Sequence, residues 1–306
     1  QAGDVSADLD VTSSTALSLN DGTIKDAAGN NASLTVQQGA TGGSLASNKA
    51  IVIDGVVPTV TSVTVPANAT YVSGQNLDFT VNFSENVTVV TTGGTPQLAV
   101  TIGSTTRQAT YQSGSGTQAL LFRYTVVSGD VDTDGITIGS LAANGGTLKD
   151  AATNDANLTL NNVGATTSVL VDGVVPTVTS VTVPANATYI AGQNLDFTVN
   201  FSENVTVVTT GGTPQLAITI GSTTRQATYQ SGSGTQALLF RYTVVSGDVD
   251  TDGITVGTLA ANGGTLKDAA TNDANLTLNN VGATTSLLVD AVAPVITSVT
   301  STKVDG

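Results

Sequence analysis

The chain has 306 residues, with 9 basic and 23 acidic side chains and a formal charge of −14, which argues against nucleic acid or anionic membranes as partners and favours cations. Cysteine, methionine, histidine and tryptophan are absent, so disulfides, thiolate or imidazole metal sites and any Ser/His or Cys/His nucleophile system are excluded. No apolar run is long enough to span a bilayer and no charged-then-apolar signal segment opens the chain, so membrane insertion is not expected and any export signal is expected outside these residues.

The sequence repeats. Asp54-Gly-Val-Val-Pro-Thr-Val60 recurs unchanged from Asp172 to Val178 and, altered, as Asp290-Ala-Val-Ala-Pro-Val-Ile296, each copy starting 118 positions after the one before. Residues 54–171 and 172–289 differ at six positions: Val72/Ile190, Ser73/Ala191, Val100/Ile218, Ile138/Val256, Ser140/Thr258 and Val169/Leu287. All are conservative, and a change of about one methylene is absorbed readily by a β-core. Residues 1–53 match the second half of a unit, with Gly3-Asp4-Val5 aligning on Gly129-Asp130-Val131 and Lys25-Asp26-Ala27-Ala28 on Lys149-Asp150-Ala151-Ala152. Residues 290–306 match a first strand. The expected division is therefore 1–53, 54–171, 172–289 and 290–306, a piece of a longer array.

Within one unit, Thr, Val, Asn, Gly and Ala dominate and favour strands over helices. Strands are predicted in order at Thr59–Val65, Leu77–Phe83, Gln97–Ile102, Arg107–Gln112, Ala119–Val127, Ile136–Leu141 and Thr167–Val171. Leu77–Phe83 alternates apolar and polar residues strictly, the period of a half-buried antiparallel strand. The first strand loses its alternation near Ser62, which suits a bulge or a crossing between sheets. Turn signals separate the strands: Gly93-Gly94, Ser113-Gly-Ser-Gly116 and Asn144-Gly-Gly146. About seven short strands in roughly 100 residues predict an all-β chain of tandem immunoglobulin-like sandwiches arranged end to end, without the cysteine pair and tryptophan of antibody domains.

Four segments carry a family likeness: Leu77-Asp-Phe-Thr-Val-Asn-Phe-Ser-Glu85-Asn-Val, Ala109-Thr-Tyr111-Gln-Ser-Gly-Ser-Gly, Gly129-Asp-Val-Asp-Thr-Asp-Gly135 and Gly146-Thr-Leu-Lys149-Asp-Ala-Ala-Thr-Asn. In this order they resemble the bacterial Ig-like repeats of giant type I-secreted (RTX) adhesins and biofilm surface proteins, and the resemblance covers the whole chain. It implies tandem sandwiches at the extracellular surface of a bacterial cell. Adhesion to a host, abiotic or biofilm-matrix surface would then fall to other domains. The glycine-rich calcium nonapeptides that such adhesins carry elsewhere are absent from these residues.

If consecutive strands run antiparallel, an odd number of them puts the two ends of each unit at opposite poles. Glu85 then ends the second strand at the leading pole, where Asp150, Asn154 and Asp155 also return. Asp130, Asp132 and Asp134 follow the fifth strand at the trailing pole, and Asp54, Asp172 and Asp290 lie at the boundaries; only Asp78 sits within a strand. Across the first complete junction Asp130, Asp132 and Asp134 are expected to face Asp172, Glu203, Asp268 and Asp273. Asp54, Glu85, Asp150 and Asp155, with Asp248, Asp250, Asp252 and Asp290, complete the candidate set at the flanking boundaries. Two like charges about 4 Å apart repel by roughly 4 kcal/mol at an effective dielectric of about 20, so such a cluster needs a cation. Calcium is the predicted structural ion, because it accepts about six to eight oxygen ligands in loose geometry. The competing reading is of solvated turn aspartates, since Asp and Gly favour turns for conformational reasons alone. Asp130-Val-Asp-Thr-Asp-Gly135 also matches the opening of an EF-hand loop, but the twelfth position is Leu141 where that motif needs Glu.

Catalysis is not expected: paired carboxylates could serve a glycosidase, but no cleft-forming insertion interrupts the strands. Among the aromatic residues, Phe79, Phe83, Phe122 and Tyr124 are assigned to the core and Tyr71 or Tyr111 to loop closure, against a sugar-stacking platform. Lys149 and Lys267 raise the idea of a Lys–Asn crosslink, weighed against ordinary surface lysines. Asn-X-Ser/Thr triplets at Asn31, Asn68, Asn86, Asn157, Asn186, Asn204 and Asn275 are expected by chance in a chain this rich in Asn and Thr. The expected function is a non-enzymatic spacer whose immediate partners are neighbouring repeats. The alternatives are a glycan- or surface-binding module, and a fibre subunit joined by strand donation. The Asp290-Ala291 boundary lacks the glycine of Asp172-Gly173, so a different local geometry is expected there.

Overall fold

The computed structural model describes residues 1–39 and 42–300, and it is all-β apart from one short helix, Leu45–Asn48. The chain forms two compact units: Gln1–Pro66 with Leu77–Tyr124 and Thr137–Thr166, and Ala67–Asn76 with Thr125–Ile136 and Thr167–Gly306. These units do not follow the repeat boundaries expected at 54, 172 and 290. Val169–Asp172 leads into the second repeat and carries its hydrogen-bonded neighbours with it, Ala69–Val72 in parallel and Val131–Asp132 antiparallel.

The first unit is built on a sheet in the order Thr137–Ala142, Gln97–Ile102, Thr105–Ser113, Thr117–Thr125, Asn76–Val90 and Thr147–Lys149, with Val60–Thr64 also pairing to Asn76–Val90. Val5–Ser6 and Ile53–Asp54 form a separate antiparallel pair. Pairing between Val60–Thr64 and its neighbour slips between Val60 and Ser62, at the position where apolar alternation fails in the sequence. The strand expected at Leu77–Phe83 runs on to Val90, since its last residues pair with Thr147–Lys149, from Val90 opposite Thr147 to Thr88 opposite Lys149.

In the second unit the same large sheet recurs 118 positions later, from Val178–Thr182 to Thr255–Ala260, with two three-stranded sheets beside it. One of these is Thr188–Tyr189, Leu288–Asp290 and Val249–Asp250. Its Val289, with Leu287 just before the strand, joins Phe197, Phe240, Leu216 and Ile218 in a single core, all six 0% exposed. Alternation puts these residues on one face of each strand, and burial of that face is the main favourable term in the fold. Beyond Asp290 the described residues form no strand, and Val295 and Ile296 are 80% and 82% exposed; the remainder of the first strand expected at 290–306 lies outside the described residues. The turn at Gly94 needs glycine: its φ is +152°, and a Cβ there would overlap the carbonyl oxygen of Asn144.

Asp78, the one carboxylate placed within a strand, forms a two-pronged pair with Arg123 at 2.6 Å and 2.6 Å. Asp196 and Arg241 repeat it directly across two strands, at 2.6 Å and 2.7 Å. The bonds from the guanidinium hold each aspartate below the ordinary carboxylate value of 3.8, so each pair stabilises the fold above that value and the contribution disappears as pH falls through the lowered one. At 41% exposure solvent screens the pair, and its share is modest. A double variant, Asp78→Asn with Asp196→Asn, is expected to unfold in less urea than the parent at pH 6, with the two curves converging well below pH 3.8. The core makes a larger claim: Phe240→Ala, at a site 0% exposed, is expected to cost about 3–5 kcal/mol in the same urea titration.

Candidate metal centre

Three segments of the first unit bring Asp54, Glu85 and Asp150 together, with one carboxylate oxygen from each within 4.8 Å of the others. Asp54 ends a strand, and its Oδ1 accepts from Val56 N at 3.1 Å, which fixes the side chain in the linker turn. Asp150 follows Thr147–Lys149 and is 5% exposed. Asn154 holds both of its oxygens, the main-chain N–H donating to Oδ1 at 2.8 Å and Nδ2 to Oδ2 at 2.8 Å. The same Nδ2 reaches the Asp54 carbonyl at 2.9 Å, tying the loop to the linker.

Glu85 lies on the long strand after Phe83, its last residue paired with Val60–Thr64, and before Thr88, where pairing with Thr147–Lys149 begins. In the second unit the pairing of Asn194–Val208 with Thr235–Thr243 breaks between Asn200 and Val205, and Glu203 sits in that gap. An interrupted ladder redirects a side chain in this way. The Oε1 atoms of Glu85 and Glu203 are buried and accept no hydrogen bond. Burial, and then the charges of Asp150 and Asp54, push the Glu85 carboxyl above its usual 4.5. Burial, Asp268 and Asp172 do the same to Glu203.

An unpaired carboxylate oxygen beside two others is costly unless it takes up a proton or a cation. All the ligands on offer are oxygens, the donor set of a hard cation such as calcium. Glu85 with Asp54 and Asp150 could hold such an ion, and Glu203 with Asp172 and Asp268 forms the second instance, although among the described residues only the first trio meets the 4.8 Å spacing.

The other expected ligands have different surroundings. Asp130 and Asp132 are 3% and 5% exposed, and they accept from Val127 N at 3.0 Å and Gly135 N at 2.7 Å inside their own turn. Asp248 binds Arg225 at 2.6 Å and the Tyr242 hydroxyl at 2.6 Å. Burial acts against ionisation there, but the bonds from Tyr242, Val245 N and Arg225 keep the Asp248 carboxyl below the usual range. The Tyr242 hydroxyl is pushed up to about 12 by burial and by this aspartate. Both Asp250 oxygens are taken at 2.7 Å, by Gly253 N and Gly221 N. These aspartates accept hydrogen bonds from nearby turns, and of the carboxylates expected to meet at the first complete junction, Asp132 and Asp172 line one cavity with Ala269 and Ala270. Asp134, Asp252 and Asp290 are exposed, while Asp155 and Asp273, each 78% exposed, pair with Lys149 at 2.6 Å and Lys267 at 2.7 Å. Each lysine also donates to a loop carbonyl, Thr153 or Thr271, and among the described residues no hydrogen bond links it to an asparagine side chain.

Asn154 is the functional residue that the carboxylate reading passed over. Its signal is the spacing Asp-x-x-x-Asn, which recurs at Asp26 and Asn30 with the same two bonds at 2.8 Å. Of the tyrosines, Tyr71 closes a loop onto Ala67 O at 3.0 Å, and the Tyr111 hydroxyl accepts from Ser115 N at 2.8 Å.

No family model and no curated protein matches the sequence. Among solved structures, a DUF4785 family protein from Legionella pneumophila is similar at 11% identity with a TM-score of 0.24, covering 68% of this chain and 51% of that one. A marsupial T cell receptor is similar at 16% identity with a TM-score of 0.23, covering 67% of this chain and 58% of that one. The chain spans between half and three fifths of the length of these structures, and scores this low carry no argument about fold or function.

The carboxylate trio leads to a two-sided expectation. In chelator at pH 7 a Glu85→Gln, Glu203→Gln double variant should be more resistant to urea than the parent, because it removes a buried charge that repels its neighbours. Added calcium should stabilise the parent and leave the variant unmoved; equal calcium responses in the two proteins would dismiss the site.

Proposed function

We propose that this chain is a non-enzymatic spacer of the type found in large bacterial surface adhesins, built of immunoglobulin-like sandwich repeats and stiffened by calcium at the repeat boundaries. The observation that carries the reading is the buried, unpartnered Oε1 of Glu85 beside Asp54 and Asp150, matched by Glu203. The three carboxylates come from the linker, a strand interruption and a returning loop, so one ion there would fix the linker to both other segments.

Two further features support it. Near-identical tandem units suit a spacer better than a catalyst, since repetition multiplies length without adding a cleft. The shared core of large and small sheets around Phe197 and Phe240 fits a sandwich. Among the described residues no helix is long and apolar enough to cross a membrane, and the surface location rests on the sequence resemblance alone. The partners of the spacer are neighbouring repeats, with a host, abiotic or biofilm-matrix surface engaged by other domains. Binding with a dissociation constant of about 10⁻⁴ to 10⁻³ M suits a calcium-rich exterior.

Small-angle X-ray scattering tests the proposal. Millimolar calcium is expected to lengthen the maximum dimension and narrow its distribution relative to chelator, and an unchanged scattering curve would sink the stiffening role.

A further inference from the structure

Asn272 differs from its counterpart Asn154 in one respect. Both sit at the end of an Asp-Ala-Ala-Thr-Asn loop and both hold the preceding aspartate, but Asn272 is only 4% exposed whereas Asn154 is part-exposed. Its Nδ2 donates to the Asp172 carbonyl at 2.8 Å and to Asp268 Oδ2 at 2.8 Å. Two acceptors flank that end of the amide, so the orientation of the side chain is fixed chemically, with the nitrogen toward them. The opposite end, Oδ1, accepts from Ser73 N at 3.2 Å, 199 residues away in sequence and within the same compact unit.

Ser73 belongs to a turn that presents this N–H outward. Val72 N donates to Gln75 Oε1 at 3.1 Å, Gln75 N to the Val72 carbonyl at 3.0 Å, and Gly74, at φ +87°, donates to the Val126 carbonyl at 2.9 Å. The neighbouring donors are occupied, and the Ser73 N–H is left for Asn272.

We propose that Asn272 is a recognition residue through which the Asp-Ala-Ala-Thr-Asn loop of one repeat reads the turn of the repeat before it, by a main-chain N–H. Three features of the chain agree with this. First, Ser73/Ala191 is one of the six differences between the repeats, and a contact made through the main chain is indifferent to that side chain. Second, the Ala191 N–H has no hydrogen-bond partner among the described residues, and Ala191 lines a cavity of about 250 Å³ with Ile190, Ser246 and Asp290 to Ala293. Third, Asn154 holds Asp150 and the Asp54 carbonyl, while its Oδ1 accepts no hydrogen bond among the described residues. Asn272 and Ser73 thus close the contact between consecutive repeats, and the same loop and turn recur at Asn154 and Ala191.

The bond between Ser73 N–H and Asn272 Oδ1 joins neutral groups and uses no ion, so it stands apart from the calcium reading, although Asp268 and Asp172, which Asn272 also holds, serve both. Amide hydrogen exchange on the full chain in chelator tests it. The Ser73 amide is expected to exchange at least about tenfold more slowly than the Ala191 amide, its equivalent in the next repeat. Asn272→Ala should bring Ser73 to the Ala191 rate, while Asn154→Ala, an equal change in the equivalent loop, should leave Ser73 protected. Exchange at Ser73 as fast as at Ala191 in the parent protein would overturn the proposal without recourse to a variant. So would Ser73 protection that survives Asn272→Ala with the Phe240 amide unchanged. A failure of calcium to alter the scattering curve leaves these outcomes as they are, so the two readings fail separately.

Discussion

A buried carboxylate oxygen without a donor lies beside the boundary aspartates Asp54 and Asp172. Glu85 and Glu203 are part-buried and have two aspartates nearby, and every effect acting on them opposes ionisation. A surface that only needed solubility would turn such a side chain outward at little cost. Here the long strand instead gives up ladder bonds around Glu203 and keeps the carboxylate inward. A gap in the ladder of this kind re-aims the side chain that falls within it.

The rest of the boundary follows from that placement. Thr147–Lys149 pairs with the end of the long strand, which sets Asp150 beside Glu85, and the Asn154 amide then fixes both the aspartate and the linker carbonyl. Amide N–H groups hold both oxygens of the Asp150 carboxylate in place. A site assembled this way loses little conformational entropy on binding, because the ordering is already done by the loop. The same loop at Asp26 and Asn30 indicates that the Asp-x-x-x-Asn unit is a self-contained device, closing by local bonds in each place where it occurs.

The period, the strands and the slip at Ser62 were legible because each is written in local order: the 118-residue repeat, the two-residue alternation and its failure. The carboxylates were legible only as to height. Counting strand directions assigns a loop to one pole, but says nothing of which side chains turn inward or what they meet there. Asp132 and Glu85 fall at opposite poles on that count, yet both read simply as strand-end carboxylates. They differ because Asp132 has Gly135 N within its own turn, while Glu85 lies on a strand with no such donor. The short strands Ala69–Val72 and Val131–Asp132 also escaped notice, since two to four residues are too few for a period to declare itself. Their pairing depends on Val169–Asp172, far along the chain.

The six differences between the repeats show how tightly the interior is fitted. Val100 and Ile138 are direct cross-strand partners in the first repeat, and Ile218 and Val256 occupy the same two places in the second. One methylene has moved from one strand to its neighbour, leaving the summed volume unchanged at a site where one member of each pair is 0% exposed. Directly opposed side chains share one face of a sheet at about 5 Å, so each change is felt by the other. Nothing in the structure explains Val169/Leu287 in this way. Ser140/Thr258 falls in the register shift of an edge strand and is exposed on both sides of the comparison, and Ser73/Ala191 sits where only the main chain is read. Four of the six differences thus fall where a neighbour compensates, where solvent is indifferent, or where the side chain takes no part, and nothing in the structure explains Val72/Ile190 or Val169/Leu287 in these terms.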